Sequence, residues 1–276
     1  MQQQPIAHVK VKRIHSSLAQ EEDDQLAVEQ PLEIAIEYST PGGREQQRIS
    51  ITMRTPGNDA ELAAGFLFTE GIIRQRSEVL DIITSPGGDN RVLVRLHPDT
   101  SPLLPGTPKS FVTTSACGVC GKESIDALHT VSIYPPQPDS ICLETGIFYG
   151  LQDLLKQQQQ LFETTGGIHA AALFDLQGRY IMLREDVGRH NALDKLIGAA
   201  LLNGRLPLND VIVLLSGRAS FELLQKAAMA GIKIVAAVGA PSSLAVELAL
   251  ENDITLIGFL RQERFNVYSG PQRVNL

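Results

Sequence analysis

Apolar and polar residues alternate along Ala7–Ile14, Leu32–Tyr38 and Arg48–Arg54, the period-2 pattern of strands with one buried face. Pro41-Gly42-Gly43 and Pro86-Gly87-Gly88 supply turn chemistry between such runs. One helix interrupts them, predicted from about Asp59 to Glu70. Asn58 stands at its cap, Glu61 follows in capping-box position and Gly71 stops it. Leu62, Phe66 and Leu67 make its apolar face. Residues 98–110, PDTSPLLPGTPKS, hold four prolines and no periodicity, and they predict an irregular crossing at a domain boundary.

Beyond the crossing come a short strand at Phe111–Thr114, the loop SACGVCGKE, a helix at Glu123–His129 and a second irregular stretch, IYPPQPDS. From Glu144 the pattern changes. A helix to about Glu163, strands His169–Asp175 and Tyr180–Arg184, helix Asn191–Leu202 and strand Val211–Leu215 follow. Then come helix Ser220–Ala230, strand Ile232–Val238, helix Ser243–Glu251 and strand Ile254–Phe259. Apolar strands alternating with helices predict an α/β part whose sheet is largely parallel and covered on both faces. Glutamines 157–160 read as the solvated face of a helix. The chain divides into a β-rich part with one helix at 1–110, the cysteine loop and its connection at 111–143, and an α/β domain at 144–276.

The 276 residues are 43% hydrophobic and 20% charged, a composition that excludes wholesale disorder. A net charge of −7 argues against coating nucleic acid, so DNA is not expected as a partner. All of that excess lies in residues 1–160, with 13 basic and 20 acidic side chains, whereas 161–276 hold 11 of each. Arg189, Arg218, Arg261 and Arg264 make the neutral half the better host for an anion. The opening residues lack an apolar signal core, and no run approaches the ~18 apolar residues of a membrane span. A cytoplasmic protein without a membrane partner is expected.

Three cysteines make no disulfide framework, and two of them form Cys117-Gly-Val-Cys120 just before a predicted helix. The helix dipole and Lys122 favour a thiolate there. Four readings fit the pair: a persulfide carrier, a thiol–disulfide redox pair, half of a zinc site, or two small buried residues in a tight loop. Zinc needs about four ligands, yet no second C-x-x-C or H-x-x-x-H follows, so no zinc is expected. A redox site of the thioredoxin kind places its cysteines after the first strand, not after a hundred residues and a proline-rich crossing. Cys142 reads as a small buried hydrophobe. A zinc deaminase would show H-x-E and then P-C-x-x-C, but His169 is followed by Ala170-Ala171 and the cysteine pair precedes it.

Three turns between strands and helices are able to cradle phosphate: Asp186-Val-Gly-Arg-His190, Ser216-Gly-Arg-Ala-Ser220 and Gly239-Ala-Pro-Ser-Ser243. His169 and His190 stand beside that edge, able to donate to a ligand heteroatom or phosphate or to make an ordinary structural hydrogen bond, and Arg218 joins them as a candidate ligand contact. Phe259-Leu260-Arg261-Gln262-Glu263-Arg264 joins an aromatic to two guanidiniums where an apolar strand ends, suited to stacking on a heterocycle and to phosphate.

The stretches EQPLEIAI, MRTPGNDAELAAGFLFTEGII, SACGVCGKESID, TGGIHAAAL, REDVGRHNALDKLIG, SGRASFELLQKA, GAPSSLAVELA and GFLRQERFNVYSG resemble the formate dehydrogenase accessory sulfurtransferase family (FdhD). The joint occurrence of MRTPG, CGxCGK and EDVGRHNALDK in this order, from about Glu29 to Gly270, is highly specific. The resemblance implies a sulfurtransferase that takes sulfur from a cysteine desulfurase, holds it as a persulfide on Cys117, and passes it to the molybdenum cofactor of formate dehydrogenase. Cys120 matches the second cysteine of the motif. The implied ligand is the bis(molybdopterin guanine dinucleotide) molybdenum cofactor, held at Phe259 to Arg264. The implied fold is a cytidine deaminase-like mixed sheet with helices on both faces and no zinc site, in a homodimer. A different class of reading, a non-catalytic cofactor chaperone with structural cysteines, is separated from it by replacing Cys117. A thiol–disulfide oxidoreductase would instead form a stable Cys117–Cys120 disulfide.

Overall fold

The computed structural model describes residues 4–16, 18–84, 90–104 and 132–276. The Pro86-Gly87-Gly88 turn, the strand at Phe111–Thr114, Cys117, Cys120 and the helix at Glu123–His129 lie outside the described residues.

Strands β1 (Ile6–His15) and β2 (Leu18–Ala27) pair as an antiparallel hairpin. The periodicity does not announce β2, LAQEEDDQLA, because its partners are charges and not core residues. Lys10 stands opposite Asp23 and Lys12 opposite Glu21, the cross-strand pairing that stabilises an exposed ribbon.

Strands β3 (Gln30–Thr40), β4 (Gly43–Arg54), β5 (Val79–Thr84) and β6 (Arg91–Leu96) form a four-stranded sheet in the order β4-β3-β6-β5. The expected Pro41-Gly42-Gly43 turn closes the β3–β4 hairpin. Between β4 and β5 lies helix α1 (Asp59–Thr69), where the sequence places it. Its cap differs from expectation. Asn58 takes a left-handed φ of 58° and its side chain makes no cap bond, while Glu61 turns outward to bind the Arg184 guanidinium at 2.5 and 2.7 Å. Nor does α1 bury a single stripe. Leu62, Ala63, Ala64, Gly65, Leu67 and Phe68 are all buried, because the helix lies between this sheet and the second half of the chain.

The second half contains β7 (Leu143–Glu144), α2 (Thr145–Tyr149), α3 (Leu151–Gln158), α4 (Gln160–Thr165), β8 (His169–Asp175), β9 (Tyr180–Asp186) and α5 (Arg189–Leu202). It continues with β10 (Val211–Leu215), α6 (Phe221–Met229), β11 (Ile234–Ala237), α7 (Ser243–Glu251), β12 (Thr255–Gly258), β13 (Asn266–Ser269) and β14 (Val274–Asn275). The single helix expected up to Glu163 is broken into α2, α3 and α4. The chain leaves helical geometry at Gln159, with φ −80° and ψ 75°, and buries that side chain. The glutamine run is therefore a solvated face only in part.

The main sheet has the order β13-β12-β11-β10-β8-β9. Only β10–β11 and β11–β12 are parallel; β8–β10, β8–β9 and β12–β13 are antiparallel. The largely parallel sheet predicted from apolar runs is thus a mixed one, because continuous burial marks a strand covered on both faces whatever the direction of its neighbour. Val213, Leu215, Val235, Ala237 and Leu256 face α1, α5, α6 and α7. The alternate residues Ile212, Leu214, Ile234, Ala236 and Ile257 face α2 and α3. Helix α1 crosses α5 at Gly65 and Gly198, where the two backbones touch. Among the described residues no helix is long and apolar enough to cross a membrane.

Candidate functional site

Two stretches far apart in sequence share one buried polar network. Asp186, at the end of β9, is completely buried. Its carboxylate accepts the Thr55 N–H at 3.1 Å, the Gly188 N–H at 2.9 Å and the Asn191 amide at 3.0 Å. Lys195 Nζ pairs with it at 2.7 Å and donates to the Thr55 carbonyl at 2.9 Å. Asn191 also donates to the Met53 carbonyl and accepts from the Thr52 hydroxyl. A buried charge is tolerated only when paired and hydrogen-bonded, so this network welds the β4 end to the Gly188-Arg189-His190 corner. The same logic recurs where α1, α5 and α6 meet. Buried Lys226 donates to Asp194 and Thr69, each at 2.9 Å. Burial alone would push Lys226 down, but the Asp194 and Glu70 carboxylates outweigh it and hold the ammonium above the usual lysine range. Sequence reasoning found MRTPG only as a signature and read EDVGRHNALDK as a signature and an anion-binding turn at Asp186–His190. Asp186, Asn191 and Lys195 are positioning groups, and a buried role for them carries no local signal.

The strand ends converge on one edge. β10, β11 and β12 finish there, and the antiparallel pairing of β8 with β9 brings His169 opposite Asp186 at the same edge. Two of the turns, at 216–220 and 239–243, are stitched to each other and to Phe259 by backbone hydrogen bonds: Gly239 N–H to Gly217 O at 2.9 Å, Ser242 N–H to Ala219 O at 3.0 Å and Phe259 N–H to Gly239 O at 3.0 Å. Close approach explains two glycines. A Cβ on Gly217 would lie 3.3 Å from His169 Nδ1, and one on Gly239 would lie 3.0 Å from the Arg218 backbone nitrogen.

His169 is half-buried against Gly217, and burial together with Arg189 and His190 pushes its imidazole below the usual histidine range despite Asp186. His190 is buried, with Nε2 3.5 Å from Ser220 Oγ and 3.8 Å from Glu222 Oε2. His190 in turn holds the Glu222 carboxyl well below the usual range. Arg218 is exposed on the middle turn. Phe259 is 44% exposed at a φ of 54°, a left-handed conformation rare for an aromatic and enriched at ligand sites. Leu260 is fully buried in the core and anchors the turn. Arg261 spends Nη1 on the Val238 and Leu260 carbonyls. Gln262 reaches Asp153 at 3.2 Å, and Glu263 and Arg264 are exposed.

The fold therefore brings His169, His190, Arg218 and residues 259–264 to one sheet edge. Cys117 and Cys120, the residues expected to carry the chemistry, lie outside the described residues. Cys142 is exposed just before β7 and is not the buried hydrophobe expected, since the irregular segment that holds it stays at the surface. Among the described residues no group of three His, Cys, Asp or Glu side chains is placed to hold a metal ion.

The lowered His169 basicity sets a sign. The folded chain holds this ring neutral while the unfolded chain protonates near pH ~6.5, so its contribution to stability is complete above that pH and declines below it. Urea unfolding at descending pH is expected to show a shallower decline in His169→Gln than in the native chain; identical slopes would refute the assignment.

The FdhD/NarQ family model matches residues 27–275. A sulfur carrier protein FdhD from Streptomyces avermitilis is 46% identical, the match covering 97% of this chain and 95% of that one. A protein of the same name from Thermoplasma volcanium is 41% identical over 97% of this chain and 95% of its own. The crystal structure of a protein from Desulfotalea psychrophila, described as a formate dehydrogenase accessory protein, superposes with a TM-score of 0.75 at 29% identity, covering 98% of this chain and all of that one. With the match extending from the end of the β1–β2 hairpin almost to the C-terminus, this chain belongs to the FdhD/NarQ family.

Proposed function

We propose that this protein is a sulfurtransferase serving a formate dehydrogenase. Cys117 accepts sulfur from a cysteine desulfurase and delivers it to the bis(molybdopterin guanine dinucleotide) molybdenum cofactor. The observation that carries the reading is near-full-length identity of 41–46% to proteins named sulfur carriers, in a chain that contains Cys117-Gly-Val-Cys120. Thiolate chemistry accounts for the transfer. The Cys117 thiolate attacks the outer sulfur of the donor persulfide; the donor S–S bond breaks, a new one forms on Cys117, and the donor leaves as a thiolate. Cys120 lies three positions further on, to assist or relay.

The cofactor is the cargo, and the sheet edge is its binding place. Phe259 offers a face to a planar heterocycle, Arg264 and Arg218 offer positive charge to phosphates, and the His169 and His190 rings offer N–H donors. We read the mixed sheet with helices on both faces as a deaminase-like arrangement lacking zinc, working as a cytoplasmic homodimer.

Peptide mass spectrometry after incubation with a cysteine desulfurase and cysteine tests the reading. A reductant-labile gain of one sulfur atom on the peptide holding Cys117 is expected, absent in Cys117→Ala, together with loss of formate dehydrogenase activity in cells that carry this variant. An active dehydrogenase with Cys117→Ala would overturn it in favour of a cofactor chaperone. A stable Cys117–Cys120 disulfide with no sulfur gain would favour a redox role.

A further inference from the structure

The β1–β2 ribbon is a sheet of its own. Among the described residues β1 pairs with no strand but β2, while β2 also packs against α4. The far side of β1 is therefore an open edge ten residues long, on a two-stranded hairpin of a kind that is marginal in water by itself. Which backbone groups face that side follows from the ladder. Val28 N–H donates to the Pro5 carbonyl at 2.8 Å, and bonded pairs alternate with unbonded ones along an antiparallel pair of strands. Ala7, Val9, Val11 and Arg13 thus bond to β2, and His8, Lys10, Lys12 and Ile14 direct their N–H and C=O groups to the open side.

The side chains alternate with the same period. His8, Lys10 and Lys12 are exposed on one face of the ribbon, whereas Ala7, Val9 and Val11 are half-buried on the other. β1, IAHVKVKRIH, holds two lysines, an arginine and two histidines and no acid. Asp23 and Glu21 stand opposite Lys10 and Lys12 on the β2 side, and the open side lacks such a row. A second copy of this chain is a poor occupant. Its β1 would set basic residues against basic residues, and the acids of its β2 already face their own lysines.

We propose that the open edge of β1 docks an extended segment of a partner protein in which acidic residues alternate with apolar ones. The acids stand opposite His8, Lys10 and Lys12, the apolar residues lie beside Val9 and Val11, and the backbone adds a third strand to the ribbon. β1 and nearly all of β2 precede residue 27, where the family match begins, so this docking is independent of the sheet edge and of the sulfur chemistry.

Titration and amide hydrogen exchange of the full-length protein with a synthetic peptide of alternating glutamate and valine test the proposal. A peptide of the same composition, with the two residue types in separate blocks, is the control. The alternating peptide is expected to bind, more weakly as salt rises, and to protect the amides of His8, Lys10, Lys12 and Ile14. Lys10→Gln combined with Lys12→Gln should weaken binding by about tenfold, the worth of two cross-strand charge pairs. Lys10→Pro removes an N–H that faces the open side and spares the β2 ladder. It should abolish binding while the Val9 and Val11 amides stay protected; if they do not, the double glutamine variant decides, and unchanged affinity there overturns the proposal. Full binding by Lys10→Pro, equal binding of the block peptide, or no binding by the native chain would each overturn it. Protection of the same four amides that grows with protein concentration alone would assign the edge to a second copy and overturn it as well.

Discussion

Replacing Gly198 by alanine is expected to cost this protein more than about 3 kcal/mol, a large part of the ~5–15 kcal/mol that holds a domain together. The usual sign is the opposite, since Gly→Ala inside a helix gains roughly 0.5–1 kcal/mol from backbone entropy. Here the added methyl would fall within the van der Waals surface of the Glu61 carbonyl oxygen, with Gly65 N at 2.8 Å. Backbone cannot rotate aside as a side chain can. α1 and α5 would have to separate, opening voids along Leu62, Leu193 and Ile197, which are all fully buried. Thermal melting should show a fall of roughly 10 °C or loss of soluble protein. Gly65→Ala should do the same, because its methyl meets Asp194 of α5. Gly146→Ala in α2 serves as the control, with no atom within 4 Å of its new methyl. A Gly198→Ala variant that melts like Gly146→Ala would refute the backbone contact.

Lys195→Met is expected to be of similar size for an electrostatic reason. Asp186 is fully buried and Lys195 is 1% exposed, so the variant leaves a carboxylate inside the protein without its counter-ion. Breaking a buried pair from one side costs about 3–5 kcal/mol, whereas removing both charges costs far less. The double variant Lys195→Met with Asp186→Asn should therefore recover part of the loss in urea unfolding. Additive losses would show that the two groups are not coupled. Partial recovery of stability need not restore function, because Asp186 also orders Gly188 and Asn191 beside His190 at the sheet edge.

How much of this was legible in the chain follows from the range of each signal. The α7 boundaries Ser243–Glu251 and the β8 boundaries His169–Asp175 are as the pattern predicts, since apolar periodicity and turn residues act over a few positions. β13 and β2 were not legible: β13, NVYS, is too short to show a period, and β2 is held by charges. The turns carrying Gly-Arg were visible as anion-binding candidates. The stitching of the Gly217-Arg218 turn to Gly239 and Phe259 was not, because the hydrogen bonds from Gly239 to Gly217 and from Phe259 to Gly239 depend on the order of strands in the sheet.

The cysteine motif, the family signatures and the alternation of helices and strands are local patterns, and the sequence by itself determined them. Tertiary structure alone decided which way neighbouring strands run, since burial on both faces looks the same in either direction. It also decided that Gly65 and Gly198 are a helix crossing, and that Asp186 and Lys195 face a buried partner. A glycine or a charged residue reads alike in sequence whether it meets water or another backbone. Only the contacts brought together by folding assign its role.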